Sequence, residues 1–479
     1  MSFSTNTSKT ILKKTSNLSH YYLIPRRYRY KPKWAVNFKK ETNRQLALSN
    51  FDAFYKPYYG KDWPSIRLSL LSLPKYTAVL NRYGNEKSIQ SQLEDLDVIN
   101  FTEYARILLT KQDNILTDTE SVSEPPSDNK KLENSENVES EPDPVGFNKL
   151  LEFERDKYKQ YREDGQVLEP YSQDIYKDSL NVFVPVDQIY TEKEHLLKEE
   201  VTMNTFRPRD LSIPVVPLSS LTIPSSINAL VYPKGNVTLF PQPKAHSRIY
   251  NYYLMDAASV MPVIALNVQP ADQVLDMCAA PGGKSFLILQ SLDLDAGGSL
   301  LCNDISLSRL QRLKNVLFSH LPKDLAAQVQ VRKADGFEAL QPVYNKVLVD
   351  VPCNADRHAV TEEDNGLFKM SRTRERLDLM KTQQELLKTA IHMCVPGGDI
   401  VYSTCTLAPA QNDGVIQAVL EDLWQTSEIE VVVEDLRPLT KLFNHIFKFH
   451  QHSSYGQNII PTITNNFGPS YFAKLKRIK

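Results

Sequence analysis

From about Tyr250 onward, short apolar runs alternate regularly with stretches of helical spacing. Val274-Leu275-Asp276-Met277-Cys278 reads as a buried strand, followed by a glycine-containing turn and a helical run from Phe286 to Leu292. A second strand, Ser299 to Asp304, leads into a helix from Ser308 to His320. Val329-Gln330-Val331 forms a third, ending near Asp335, and Lys346 to Asp350 a fourth, ending in Val351-Pro352-Cys353. A long helix with Leu377, Met380, Leu387, Ile391 and Cys394 on one stripe precedes the strand Asp399 to Ser403. Short buried strands alternating with helices predict an α/β fold with a doubly wound, mostly parallel sheet. Ligands of such sheets sit at the carboxyl ends of the strands, where the polar residues of these runs fall.

The front of the chain is different. Apolar residues from Phe51 to Leu109 fall at helical spacing, with Trp63-Pro64-Ser65-Ile66-Arg67 as a helix start and Ile66, Leu70 and Leu71 as a buried stripe. This predicts an N-terminal helical extension over 41–112. Residues 113–145 carry ten acids against two lysines and almost no large apolar side chain, the composition of a disordered acidic linker. The extension 146–245 is charged and rich in tyrosine early on, with one β-like run at Val182-Phe183-Val184-Pro185-Val186 and no assignable chemistry.

Charge changes the picture only when divided along the chain. The formal net charge is -1, yet residues 1–40 hold ten Lys or Arg and no acid, so the rest is -11. An Arg-rich, hydroxyl-rich, acid-free start fits an organellar transit peptide; the same residues would also serve as a retained basic arm that binds nucleic-acid phosphates. Five cysteines, with no C-x-x-C pair, are too few for a disulfide framework and point to a reducing compartment. No apolar run approaches the roughly 18 residues of a membrane span, so no membrane insertion is expected.

Ala280-Pro281-Gly282-Gly283-Lys284 follows the first strand and opens a helix, where a cofactor meets the backbone in this architecture. It is neither the dinucleotide fingerprint nor a P-loop, which argues against nicotinamide and nucleoside triphosphates. Asp304, ending the second strand, is placed either for a ribose diol or as a helix N-cap. Cys353 and Cys405 directly follow strands, in Asp350-Val351-Pro352-Cys353 and Ser403-Thr404-Cys405, and make a covalent step plausible. Cys302 and Cys394 read as inert small hydrophobes. His445, His450 and His452 lack a ligand register, so no metal is assigned. Arg372, Arg374 and Arg376 open a helix as a phosphate contact or a solvated face.

Taken together, Asp276 to Lys284, Asp304 with Arg309, Asp335-Gly336, Asp350 to Cys353, and Ser403-Thr404-Cys405-Thr406-Leu407 resemble the Nop/Sun RNA cytosine-5 methyltransferases, from roughly Tyr250 to the end. A narrower likeness, to the mitochondrial member of that family acting on small-subunit ribosomal RNA, rests on Phe51-Asp52, Trp63 to Arg67, Tyr252 to Ser259, Asp356-Arg357-His358 and Asn466 to Pro469. The resemblance implies a Rossmann-like methyltransferase domain over 246–479 that binds S-adenosyl-L-methionine. By position, Gly282, Gly283 and Lys284 would meet its methionine end, Asp304 its ribose, and Arg309, Asp335 and Gly336 its adenosine pocket. Asp350 would face both cofactor and target base. Cys405 would be the nucleophile and Cys353 the group that assists release, roles that spacing cannot separate. Where the family has Glu, this chain has Asp413, for which a local adjustment without loss of chemistry is expected.

The likeness further implies a mitochondrial matrix location, ribosomal RNA as substrate, and a helical-repeat partner of the mitochondrial termination-factor family. A ribosome-assembly scaffold that keeps the fold with little need for catalysis is the alternative. Retention of both cysteines and of the full set of cofactor positions favours the enzyme.

Overall fold

In a computed structural model of the chain, the residues described are 41–93, 95–119, 192–204, 213–336, 343–363 and 366–479. The basic 1–40 segment, the Val182–Val186 run and most of the acidic stretch lie outside them. The helix Phe101–Thr119 runs past residue 113, into the start of that acidic stretch.

Five parallel strands form the centre of the large sheet, in the order Gln330–Arg332, Ser299–Asn303, Gln273–Asp276, Tyr344–Asp350, Cys394–Thr404. Ser470–Arg477 then inserts antiparallel between Cys394–Thr404 and Val431–Asp435, and Val215–Pro217 follows at the edge. Register is set by burial on both faces. Val347 and Val349 point to one helical layer, with Leu387, Ile391, Val415 and Val419, and Leu348 to the other, with Ile264, Phe286, Leu287 and Leu313. A one-residue slip would exchange these sets, which is why such strands read as continuous apolar runs. Strand order reverses between Gln273–Asp276 and Tyr344–Asp350, and this opens the crevice where doubly wound sheets bind ligands.

The N-terminal extension packs beside this crevice. Helix α1, Asn43–Tyr59, starts with a capping box in which Thr42 Oγ1 accepts Gln45 N–H at 3.2 Å and Gln45 Oε1 accepts Thr42 N–H at 2.9 Å. Ala47, Phe51, Tyr55 and Tyr59, four apart, form its buried stripe against Ala359, Val360, Phe368 and Leu407. Helix α2, Trp63–Leu71, is tied back by Trp63 Nε1 donating to Asp52 Oδ1 at 2.8 Å and by Arg67 at 3.0 Å from the same carboxylate.

The helical spacing of 51–109 misleads at Thr77–Leu80, which is a strand between Ala229–Val231 and Tyr252–Met255, with Ala78 opposite both Leu230 and Leu254. Four residues are too few for a period to show. Pairing with partners more than a hundred residues away decides their conformation.

Candidate active site

The sheet delivers the motif residues to one edge of the crevice. After Gln273–Asp276 the chain turns through Gly282, whose φ of +113° suits glycine and whose missing Cβ leaves room for Leu313 Cδ1, which a Cβ would meet at 2.8 Å. The helix Gly283–Ser291 then begins, with first-turn amides that lack intrahelical acceptors. At Gly336 a Cβ would meet the tip of the Leu386 side chain, which would have to turn aside for a larger residue.

Asp304 does not cap the following helix; Ser306 does, through its side chain. Asp304 Oδ1 instead accepts Ser306 N–H at 2.8 Å, and Oδ2 lies 3.3 Å from Arg309 Nη1. Arg309 also donates to the carbonyl of Ala280. Buried oxygens of Asp276 and Asn303 have no hydrogen-bond partner within the chain, and the second oxygen of Asp304 has only the Arg309 guanidinium. Orphaned acceptors are costly in a folded interior, and here they converge at the ends of two adjacent strands. That donor-seeking rim, beside free helix amides, fits a ligand with a diol and amine donors, such as S-adenosylmethionine. Burial raises the carboxyl of Asp276 to about 7 despite the hydroxyl of Ser285 donating at 2.7 Å. Met277, Asn303, Asp335 and Gly336 line a small adjoining cavity.

Across the crevice, Lys284 Nζ donates to Asp350 Oδ2 at 2.6 Å and Ser403 Oγ to Oδ1 at 2.7 Å, so neighbouring elements pin both carboxylate oxygens. Burial opposes the charge on Lys284, but Asp350 more than offsets it and the ammonium is held above its usual range. The two strand-end cysteines meet: Cys353 Sγ lies 3.2 Å from Cys405 Sγ, and Cys405 N–H points at Cys353 Sγ at 3.3 Å. Contact with Cys353 is the main cause that holds the Cys405 thiol well above its usual range, followed by the protein atoms packed round the sulfur and by Asp350, while Lys284 pulls it down. The Cys405 thiol thus favours keeping its proton at rest, next to a fixed carboxylate and a fixed cation.

Other cysteines differ in kind. Cys302 and Cys394 are wholly buried, and burial pushes their thiols upward, Cys394 to about 12. Cys278, half-buried, is likewise raised by burial and by Asp276.

Several residues of the narrower likeness hold the frame. Arg357 donates to the carbonyl of Gly468 and to Asn466 Oδ1, both at 2.7 Å. Asn466 Nδ2 reaches the carbonyls of Ser69 and Leu73 at 2.8 and 2.9 Å. Asp413 is met by the amides of Ser454, Tyr455 and Gly456 and by the hydroxyl of Tyr471. The loop 454–456 approaches closely enough to serve the shorter side chain.

The arginine cluster resolves unevenly. Arg376 is buried against Glu200, at 2.6 Å, whereas Arg372 pairs at the surface with Glu375. Its phosphate-contact reading does not survive for Arg376, because a guanidinium enclosed with its counter-ion is not offered to a ligand. Among the histidines, His450 and His452 meet ring to ring at 5.3 Å and His445 lies against Tyr104. His445 and His450 line a polar cleft of about 810 Å³ to which neither Asp350 nor either strand-end cysteine contributes. Among the described residues no three His, Cys, Asp or Glu side chains are grouped as metal ligands, and no helix is long and apolar enough to cross a membrane.

Sequence reasoning did not find Asp356, Tyr55 and Thr406 as site-related residues. Asp356 belongs to a motif, but its partners lie far away in the chain, and nothing in its spacing reveals them.

A doubly wound sheet with this crevice and strand-end set defines a Rossmann-like methyltransferase. Residues 263–475 match the family described as 16S rRNA methyltransferase RsmB/F, and the 5-cytosine rRNA methyltransferase NSUN4 of Mus musculus is 34% identical over 98% of this chain and 98% of its own. The chain belongs to this family of S-adenosylmethionine-dependent RNA cytosine-5 methyltransferases. The corresponding protein of Caenorhabditis elegans is 30% identical over 94% of this chain and 96% of its own. A mitochondrial tRNA (cytosine(34)-C(5))-methyltransferase of Danio rerio is 40% identical, over 47% of this chain and 61% of its own. The crystal structure of NSun6 from Pyrococcus horikoshii with SFG aligns with a TM-score of 0.38 at 23% identity, over 48% of this chain and 54% of that one.

Proposed function

We propose that the protein methylates C5 of a cytosine in mitochondrial small-subunit ribosomal RNA through a covalent enzyme–RNA adduct, with 246–479 as the methyltransferase domain, 41–112 as its N-terminal extension and 113–145 as an acidic linker. The observation that carries this reading is the cysteine pair, sulfurs 3.2 Å apart, beside a carboxylate held by Lys284 and Ser403. Gly282, Gly283, Lys284, Asp304, Arg309, Asp335 and Gly336 would hold the cofactor. Bound S-adenosylmethionine supplies an electrophilic methyl group on a sulfonium centre.

The chain's own residues do the rest. Cys405 gives up its proton and adds to C6 of the cytosine, which turns C5 into an enamine-like nucleophile for the incoming methyl group. The proton that Cys405 gives up passes to Asp350, whose carboxyl then donates it to N3, where negative charge develops on addition. After a proton leaves C5, Cys405 is expelled from C6, and Cys353, in contact with its sulfur, assists that release. The base must be unstacked to reach both sulfurs, so a looped or single-stranded RNA region is the substrate.

The names of the relatives support the RNA class and the compartment: ribosomal RNA for the near-full-length matches, mitochondria for the tRNA enzymes. The basic stretch 1–40 supports import into the matrix. A helical-repeat partner of the termination-factor family would supply RNA affinity to a chain that is otherwise acidic. Bisulfite sequencing of mitochondrial small-subunit ribosomal RNA, with and without the protein, tests the reading. One protected cytosine should disappear, and an unchanged pattern would assign the enzyme to another RNA.

A further inference from the structure

The two cysteine loops are joined by a group outside the reacting set. Asp356 follows Cys353 by three residues and is fully buried. Its carboxylate accepts the hydroxyl of Thr406, the residue after Cys405, at 3.0 and 3.1 Å, and the N–H of Leu407 at 2.6 Å. A third donor arrives from the N-terminal extension, the hydroxyl of Tyr55 at 3.1 Å. Tyr59, one turn on, donates to the carbonyl of Leu407 at 2.7 Å. Ala355, just before Asp356, sits in the left-handed region at φ +49°, a conformation unfavourable for alanine that the surrounding bonds must hold.

We propose that Asp356, served by Thr406 and Tyr55, is a positioning residue: a carboxylate clamp that fixes the loop of Cys353 to the loop of Cys405 and makes helix α1 part of the catalytic unit. The inference rests on the two-cysteine mechanism above and deepens it. Addition and elimination at one carbon need both sulfurs placed to a fraction of an ångström, and the strands alone end before either loop begins. One carboxylate bonded to the residues just past Cys405, and only three past Cys353, removes the freedom of each loop relative to the other. Burial raises this carboxyl to about 7, against the pull of the Leu407 amide and the Thr406 and Tyr55 hydroxyls that donate to it.

Thr406→Val removes the hydroxyl at nearly constant shape, Thr406→Ser keeps it, and Asp356→Asn turns one acceptor into a donor. Full-length variants are titrated with phenylarsine oxide, which condenses with two neighbouring thiols into a cyclic dithioarsenite with loss of water and so reads the sulfur spacing without RNA. Thr406→Val and Asp356→Asn should weaken capture at Cys353 and Cys405 by at least about tenfold. Thr406→Ser should stay within about threefold of the parent, and S-adenosylmethionine affinity within about twofold in all three. On ribosomal RNA transcripts the first two should lose kcat by about tenfold to a hundredfold at unchanged KM.

Capture unchanged in Thr406→Val overturns the clamp, whether or not Asp356→Asn folds. So does weakened capture with full kcat, and so does a loss that tracks cofactor affinity. Failure of the parent to methylate the transcripts strikes the proposed substrate, while the arsenical titration still decides the clamp.

Discussion

Two pairs of buried carboxylates flank the crevice and are treated in opposite ways. On the cofactor side, Asp276 keeps an oxygen with no hydrogen-bond partner in the chain, and the second oxygen of Asp304 has only Arg309, 3.3 Å away. On the cysteine side, Asp356 and Asp413 are surrounded by amide and hydroxyl donors. A chain pays for an orphaned buried acceptor with stability unless something else donates to it. The first pair therefore keeps accepting capacity that a ligand could use, and the second commits its own to the framework. The lesson is that a carboxylate's role here follows from what is left unsatisfied, since all four are buried and all four are Asp.

The largest effect should come from the sulfurs that the framework side holds. Cys405→Ala should lower turnover by at least about 10³-fold and form no RNA adduct. Cys353→Ala should also lose turnover but accumulate on labelled RNA as a shifted, cofactor-dependent band in a denaturing gel. A band from the Cys405 variant alone would reverse the two roles.

Removing a framework carboxylate should cost the fold itself. Asp413→Ala strands three amides and a buried tyrosine hydroxyl, and should lower unfolding free energy by about 3 kcal/mol in denaturant titration. A loss no greater than that of an ordinary surface substitution would break the comparison from that side.

Asp304→Ala should act on the other side, weakening S-adenosylmethionine binding by about 1 to 3 kcal/mol in calorimetry. Equal affinity in the variant would remove Asp304 from the ligand side.

Asp276 sharpens the same contrast through pH. Burial raises its folded-state value from the ordinary 3.8 to about 7, so its favourable contribution is complete below about pH 4 and is lost as pH rises towards 7. Asp276→Asn does not titrate. It should match the parent near pH 4 and be more stable by about 1 to 2 kcal/mol above pH 7, less than the whole shift because Asn leaves an amide of its own unpartnered. Melting curves across that range check it.

The smallest effect belongs to the surface: Arg372→Ala, losing an exposed pair with Glu375, should change stability by under about 0.5 kcal/mol.

Much of this site is legible along the chain because a parallel sheet buried on both faces writes its strands as apolar runs and exposes its chemistry just after them. Lys284, Asp304, Asp350, Cys353 and Cys405 can each be placed at a strand end or the turn after it from local pattern alone. The arginines show where that ends. Arg372 and Arg376 look alike in sequence, yet Glu200, 176 positions away, buries one of them.

By itself, the sequence determined the alternation of strand and helix, the crevice edge on which the polar residues fall, and the family, since each depends on neighbours within a few residues. Tertiary structure alone decided that Thr77–Leu80 is a strand, that Cys353 and Cys405 touch, and that Tyr55 reaches Asp356 across 301 positions. The physical reason is range. Periodicity records which face of an element is buried, but a hydrogen bond between distant segments has no period, and only the folded chain brings its donor to its acceptor.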